Sequence, residues 1–384
     1  MLGSPFVKTE KLPHNLTNMS RETFRHFDFW LLGAVAVLTV FGIAMIWSAM
    51  AGNEVLLEVF PRQIIFSIVG FGVVIAVASV DYHLFNAASR LLYVLVLLLL
   101  IMVYAGGVVS GGAARWLDTG FFFIQPSELA KIAIILILAD YFSRTEGRAH
   151  DLRWIMRSLI PTLGLLIWIF IQPDLDTSIV IMVIWFTLLW ASGLPLQYVF
   201  LFALFGGLLA VAAFPFLQEY QQDRIITFFF PDAEARFGNE YNINQALISI
   251  GSGGWLGQGY GQSSQVQLRF LKVRHTDFIF SALSAEFGFV GAVLVLALLL
   301  FVVYRCLRAA RLARDTYGAL ICYGVATFLF FNIAINVAMN LNMIPVAGLP
   351  IPFISYGGSS LLSSLLGIGL VESVVARRKA LEFQ

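Results

Sequence analysis

Charge is scarce in this sequence. Asp, Glu, Lys and Arg make up 12% of its 384 residues, against 59% hydrophobic. A soluble domain is about a quarter charged, and could not hide this much apolar surface in one core. That excludes an ordinary soluble protein. Cysteine is nearly absent, and Cys306 and Cys322 suit neither a disulfide framework nor a zinc site, so both are assigned to packing. With a net charge of +1 there is no argument for an acidic partner. Metal-ligand spacings, a Ser–His–Asp order and nucleic-acid motifs are missing as well, so no tight metal site, no firm cofactor and no nucleic-acid partner are expected.

Long apolar runs are what the chain does have. A span needs about 20 such residues, and ten segments qualify: 27–50, 61–80, 90–108, 127–143, 156–172, 176–191, 197–216, 277–305, 317–341 and 354–375. The expected fold is an all-α integral membrane protein, one polytopic domain over 1–384, with ten transmembrane helices and a long extracytoplasmic loop (217–275) between the seventh and eighth. The tail 1–26 carries Lys8, Lys11, Arg21 and Arg25 but no short apolar core with a cleavage site, so the first span reads as a signal anchor. Placing both tails (1–26 and 376–384) in the cytoplasm puts sixteen of the 24 basic residues inside, as the positive-inside rule asks. On that reading Asn15 and Asn18, though in sequons, have no glycosylation meaning. The long loop is rich in aromatic and apolar residues rather than low-complexity, which predicts short interfacial helices on the outer leaflet.

In this topology even-numbered spans start at the outer face, where free N–H groups and the helix dipole favour anions. Glu128, Asp174 and Asp277 sit at such starts. Two of these starts echo each other, "IQPSELAK" from 124 and "IQPDLDTS" from 171, each with a proline suited to a first helical turn. Asp277 borders an apolar run, where a charge is expensive and tends to be functional. Two readings stand: an N-cap of the eighth span, or a general base whose pKa is balanced between burial and nearby Arg274. Glu286, nine residues on, falls on the opposite helix face and reads as a structural polar contact. Glu128 and Lys131 are three apart and can meet. They form either a buried packing pair or, through Lys131, a phosphate contact. Arg115, Trp116, Arg224, Arg269, Lys272 and Arg274 together suggest an anion-binding rim. The run "GSGGWLGQGYG" lacks the Gly-Lys-Ser/Thr ending of a P-loop, so nucleotide binding is rejected.

"RWLDTGFFFIQPSELAKIAIILILA", "QPDLDTSIVI", "YQQDRI", "GSGG", "RHTDFIFSALSAEFGFVG" and "PVAGLPIPFISYGGSSLL" follow one another along nearly the whole chain. In that order they resemble the SEDS family of bacterial cell-wall proteins, and "QVQLRFL" is more similar to its elongation-type members than to the division-type ones. The resemblance implies a ten-helix glycosyltransferase of the bacterial cytoplasmic membrane. It would polymerise lipid II at the outer face, release undecaprenyl pyrophosphate, and work with a class B penicillin-binding protein, the transpeptidase, and other elongation-complex membrane proteins. The family's essential aspartate falls on Asp277. Glu128 and Lys131 match "QPSELAK", and Asp174 matches the aspartate of "QPDLGT", whereas Asp176 stands where the family usually has glycine. The candidate substrate-binding set is Glu128, Lys131, Arg115, Trp116, Asp174, Arg224, Arg274, His275 and Ser359, with no metal ligand and at most a weak divalent cation on the substrate pyrophosphate. A lipid II flippase or transporter, or a scaffold without enzymatic activity, are the alternatives; both would leave Asp277 without a catalytic task.

Overall fold

The computed structural model describes residues 27–50, 59–110, 113–118, 120, 123–147, 151–231 and 238–378. The tail 1–26 with its sequons, Arg148, Arg236, Lys379 and the segment 379–384 lie outside the described residues. Thirteen α-helices are found among the described ones: α1 (Phe29–Ala49), α2 (Val59–Ser79), α3 (Tyr82–Gly106), α4 (Pro126–Arg144), α5 (Leu152–Ile171), α6 (Leu175–Ala191), α7 (Leu196–Ala213), α8 (Glu219–Phe229), α9 (Gly238–Gly253), α10 (Ser264–Gln267), α11 (Ile279–Leu312), α12 (Thr316–Asn340) and α13 (Gly358–Ala376). Eight of these stretches are long and apolar enough to cross a membrane. The other two expected spans are α6, which is shorter, and α4, which carries Glu128, Lys131, Asp140 and Arg144.

The core sits around α4, α12 and α13, whose residues are mostly buried. α4 tolerates its charges because they are paired internally: Lys131 with Glu128 at 2.8 Å, and Arg144 with Asp140 at 2.5 Å. An unpaired buried charge would be far more expensive than a paired one. α7 stands at the edge and touches α6 through Trp185 and Phe202.

Three features depart from the expectation. The chain is not all helix: β1 (Val108–Ser110), β2 (Ala113–Asp118) and β3 (Phe123–Ile124) form an antiparallel sheet between α3 and α4. Strands this short show too little alternation to be read from sequence. α3 begins at Tyr82 rather than 90, because the Asp81 carboxylate accepts from the His83 N–H and starts the helix before the apolar run.

The third departure concerns α11 and the 217–275 segment. At 34 residues α11 would reach about 51 Å, well beyond a bilayer core of about 30 Å. Gly288 interrupts it (φ 66°, ψ −167°), and the glycine run after α9 crosses at the break. Gln258 N and Gly259 N donate to the carbonyls of Ala285 and Glu286, while the N–H groups of Phe289 and Val290 donate to the carbonyls of Gly254 and Trp255. The freed backbone groups are thus satisfied, as an apolar setting demands. Only glycine fits here: a Cβ on Gly257 (φ +83°) would lie 2.1 Å from the Glu286 carbonyl oxygen. So the 217–275 segment does carry helices, α8 to α10, but α9 packs on α11 rather than lying alone on a leaflet.

The helix starts gather at one end. Ser127 and Gln125 donate to Asp174, Ser363 to Glu128, and Gln125 N to Ser359 Oγ, so α4, α6 and α13 begin side by side. The echoed motifs are therefore neighbouring helix starts, although Pro173 precedes its N-cap, Asp174, and only Pro126 lies in a first turn. At the other end Arg305 reaches Asp28, and Glu372 accepts from the Asp28 N–H at 2.9 Å.

Candidate active site

Asp277 lies just before α11, and three successive carbonyls hold it there. Tyr356 N donates to His275 O (2.9 Å), Ser355 Oγ to Thr276 O (2.9 Å), and the amides of Asn336 and Asn340 to Asp277 O (3.0 Å each). Asn336 also donates to Leu349 O at 2.8 Å, and Asn340 accepts from Ser281 Oγ at 2.5 Å. These two asparagines tie the start of α11 to α12 and to the segment leading into α13. Sequence reasoning missed them. The signal was present: Asn332, Asn336 and Asn340 recur every fourth residue, on one face of an otherwise apolar helix, where an amide without partners is costly.

The carboxylate of Asp277 is left over. Phe278 occupies the N-cap of α11 without a side-chain cap bond, so the capping reading of Asp277 does not hold. Among the described residues its carboxylate makes no hydrogen bond or ion pair. Burial pushes its pKa up to about 6; the Asp176 charge adds to the rise and Arg224 opposes it. The cation facing Asp277 is therefore Arg224, not Arg274 as expected. Arg274 is buried and turned to the end of α1, with Nε on Ala49 O at 2.6 Å and Nη1 on Leu271 O at 3.2 Å.

Asp176 and Arg224 both line a cavity of about 290 Å³ at the starts of α6 and α8, closed by β2 and the 344–349 segment. Arg115 enters from β2, with Nε on Gln172 O (3.2 Å) and Nη2 on Tyr220 OH (2.7 Å) and Pro173 O. Tyr220 OH donates to Pro173 O at 2.6 Å, docking α8 against the turn before α6. Asp176 accepts from Gly348 N at 2.8 Å. Arg224 is held loosely, 3.5 Å from both Asp176 Oδ2 and Val346 O. Those distances are at the limit of a hydrogen bond, so Arg224 can be recruited by a better anion. Asp277 is not in the cavity lining; it meets the cavity electrostatically, through Asp176 and Arg224.

The other expected site residues are distributed differently. Asp174 is the N-cap of α6, accepting from Thr177 N (3.2 Å), Thr177 Oγ1 (2.9 Å) and Ser127 Oγ (3.1 Å). Lys131 is fully buried, bound to Glu128 and 5.6 Å from the Phe328 ring centroid; neither it nor Glu128 lines the cavity. Ser359 Oγ accepts from Gln125 N (3.0 Å) and donates to Phe123 O (3.3 Å), outside the lining. Trp116 pairs with Val108 in the sheet and is half-buried. His275 packs on Tyr356, and burial together with Arg274 lowers its pKa. Lys272 lies over the Tyr241 ring at 5.3 Å. Of the expected basic rim, only Arg115 and Arg224 converge on the cavity. Among the described residues no group of three or more His, Cys, Asp or Glu could hold a metal ion.

The chain has clear relatives among known proteins. A family profile described as "Cell cycle protein" (FtsW/RodA/SpoVE) matches residues 28–380. The chain is 33% identical over 368 residues to the peptidoglycan glycosyltransferase MrdB of Escherichia coli (strain K12), covering 95% of this chain and 98% of that one. Two similar solved structures are a chain from work on structural coordination of polymerization and crosslinking by a peptidoglycan synthase complex, and the rod shape determining protein RodA of Thermus thermophilus. The first has a TM-score of 0.78 at 29% identity, covering 91% of this chain and 97% of that one. The second has a TM-score of 0.70 at 29% identity, covering 92% and 98%.

Proposed function

The chain belongs to the FtsW/RodA/SpoVE family of cell-cycle proteins, and from that premise we propose that it polymerises lipid II at the outer face of the bacterial cytoplasmic membrane, with Asp277 as general base. It is a peptidoglycan glycosyltransferase, like the relatives it matches over nearly their full length. The observation that carries the assignment of the base is the carboxylate of Asp277, unpartnered among the described residues, with a pKa raised to about 6 beside a cavity that holds two arginines. A base with a pKa near the working pH combines an adequate ionised fraction with a useful affinity for the proton.

In the proposed reaction Asp277 takes the proton of the acceptor 4-hydroxyl as that oxygen attacks the anomeric carbon of the donor. Undecaprenyl pyrophosphate leaves. An α-linked diphosphate giving a β-linked glycan fits one inverting displacement without a covalent intermediate. Arg224, exchanging its loose contact with Asp176 for the diphosphate, and Arg115 behind it would stabilise the charge on the leaving group. A cavity of about 290 Å³ is at the lower end for small ligands, so it would take the diphosphate, with the sugars and prenyl chains of both glycolipids outside it.

The topology that fits this reading has ten spans, α4 and α6 completing the eight long apolar ones, with both termini in the cytoplasm. A class B penicillin-binding protein is the expected partner, supported by the similar chain from a complex coordinating polymerization and crosslinking. Other elongation-complex membrane proteins would join them. The test is polymerisation of labelled lipid II by the purified chain. Asp277→Asn should lose about 10² to 10⁴ in rate while remaining in the membrane and bound to its partner; a wild-type rate would refute the assignment.

A further inference from the structure

A second cavity, of about 560 Å³, lies at the end of the bundle opposite the active site. Its place follows from connectivity: the last turn of α4 and the early turns of α5 form it, whereas the first turn of α4 and the start of α6 border the active site. Three arginines from three helices meet in its lining: Arg90 of α3, Arg144 of α4 and Arg157 of α5. One carboxylate, Asp140, faces them, and Arg144 takes it at 2.5 Å, with a further bond to Asn86 Oδ1 at 3.2 Å. Arg90 and Arg157 are exposed and make no hydrogen bond or ion pair among the described residues. The cavity therefore holds two positive charges that no described residue neutralises.

Arg144 ends α4, but the other two arginines are not at helix tips: Arg157 is five residues into α5. Arg90 is eight residues into α3, roughly 12 Å from its start at 1.5 Å per residue. A guanidinium at that depth sits where headgroups meet acyl chains, and is best satisfied by a phosphate there. The walls are fixed in advance. Tyr93 OH donates to Pro161 O at 2.9 Å, and Tyr141 OH to Trp154 O at 2.9 Å. Val94, Ile137 and Pro161 supply an apolar side.

We propose that this cavity binds the phosphate of an anionic phospholipid headgroup, with Arg90 and Arg157 on the phosphate and Val94, Ile137 and Pro161 against the first methylenes of the acyl chains. In the topology above, that lipid belongs to the cytoplasmic leaflet. Inorganic phosphate offers the same chemistry from another source, and the test separates the two. The full chain is purified into micelles containing equal phosphatidylglycerol and phosphatidylcholine of identical acyl chains, and lipid retention is read by native mass spectrometry. Wild type retains phosphatidylglycerol preferentially. Each arginine beside an anionic headgroup is worth on the order of a fivefold gain, so Arg90→Gln/Arg157→Gln lowers the preference by roughly tenfold or more. Arg90→Lys/Arg157→Lys keeps part of it, which separates lost charge from lost fold, and Arg153→Gln, on α5 but outside the cavity, keeps all of it. A double Gln variant with wild-type preference, or an equal loss in Arg153→Gln, overturns the proposal. Displacement of the lipid by added inorganic phosphate overturns the lipid assignment in favour of a free-phosphate site.

Discussion

At the scale of single residues, the central actor was legible and its surroundings were not. Asp277 announced itself as a charge on the edge of an apolar run. Its electrostatic partners did not, because proximity in sequence predicts contact only inside a regular element. Arg274, three residues away, turns to Ala49, whereas Arg224, far off in the chain, faces the carboxylate. Two predictions belong here. The rate limb governed by Asp277 rises with pH through about 6, since the base must be ionised. Asp176→Gly removes a negative neighbour, lowers the pKa and moves that limb to lower pH; Arg224→Gln moves it higher. A profile of kcat/KM against pH unmoved by either variant would show that neither charge reaches Asp277. The second prediction concerns stability. The folded-state pKa of Asp277 is raised from 3.8 to about 6, so its contribution is fully present below about 3.8 and is lost as pH rises through about 6. Holding the ionised form costs on the order of 3 kcal/mol. Asp277→Asn is therefore expected to unfold at higher temperature than wild type at neutral pH, with the gap closing in acid.

At the scale of elements, the helix starts were readable from their caps and prolines, while the break in α11 was not, since "AEFGFVG" reads as continuous apolar helix. What decides it is the glycine run more than 25 residues upstream, which meets the break backbone to backbone. Gly257→Ala, with its Cβ 2.1 Å from a carbonyl oxygen and φ at +83°, should destabilise the chain by about 1 to 3 kcal/mol in thermal unfolding. An unchanged unfolding temperature would mean the crossing is looser than described. The Glu128–Lys131 pair was legible as a contact, but sequence left its purpose open. Its burial favours packing. Lys131→Met alone strands a buried carboxylate and should cost about 3 to 5 kcal/mol, whereas Lys131→Met/Glu128→Gln should recover most of the stability and retain polymerisation. A stable but inactive double variant would instead place Lys131 on the substrate.

At the scale of the whole molecule, ten apolar segments foretold most of the helical architecture because span length is set by bilayer thickness, a constraint written directly into composition. The small sheet escaped notice because its strands run six residues or fewer. The cavity escaped because it is assembled from β2, α6, α8, α12 and the 344–349 segment, which no local pattern joins. The topology has its own check, helped by the burial of Cys306 and Cys322. A thiol placed by Asp118→Cys should react with an impermeant maleimide from outside intact cells, and one placed by Arg311→Cys only after permeabilisation; the reverse pattern would invert the molecule. The most direct test of the account is the polymerisation rate of labelled lipid II by wild-type and Asp277→Asn chains, each reconstituted with a transpeptidase partner, at pH values on either side of about 6. The expected result is a wild-type rate that climbs through that value and an Asn variant that stays near background throughout; an Asn variant that matches wild type at every pH would contradict it.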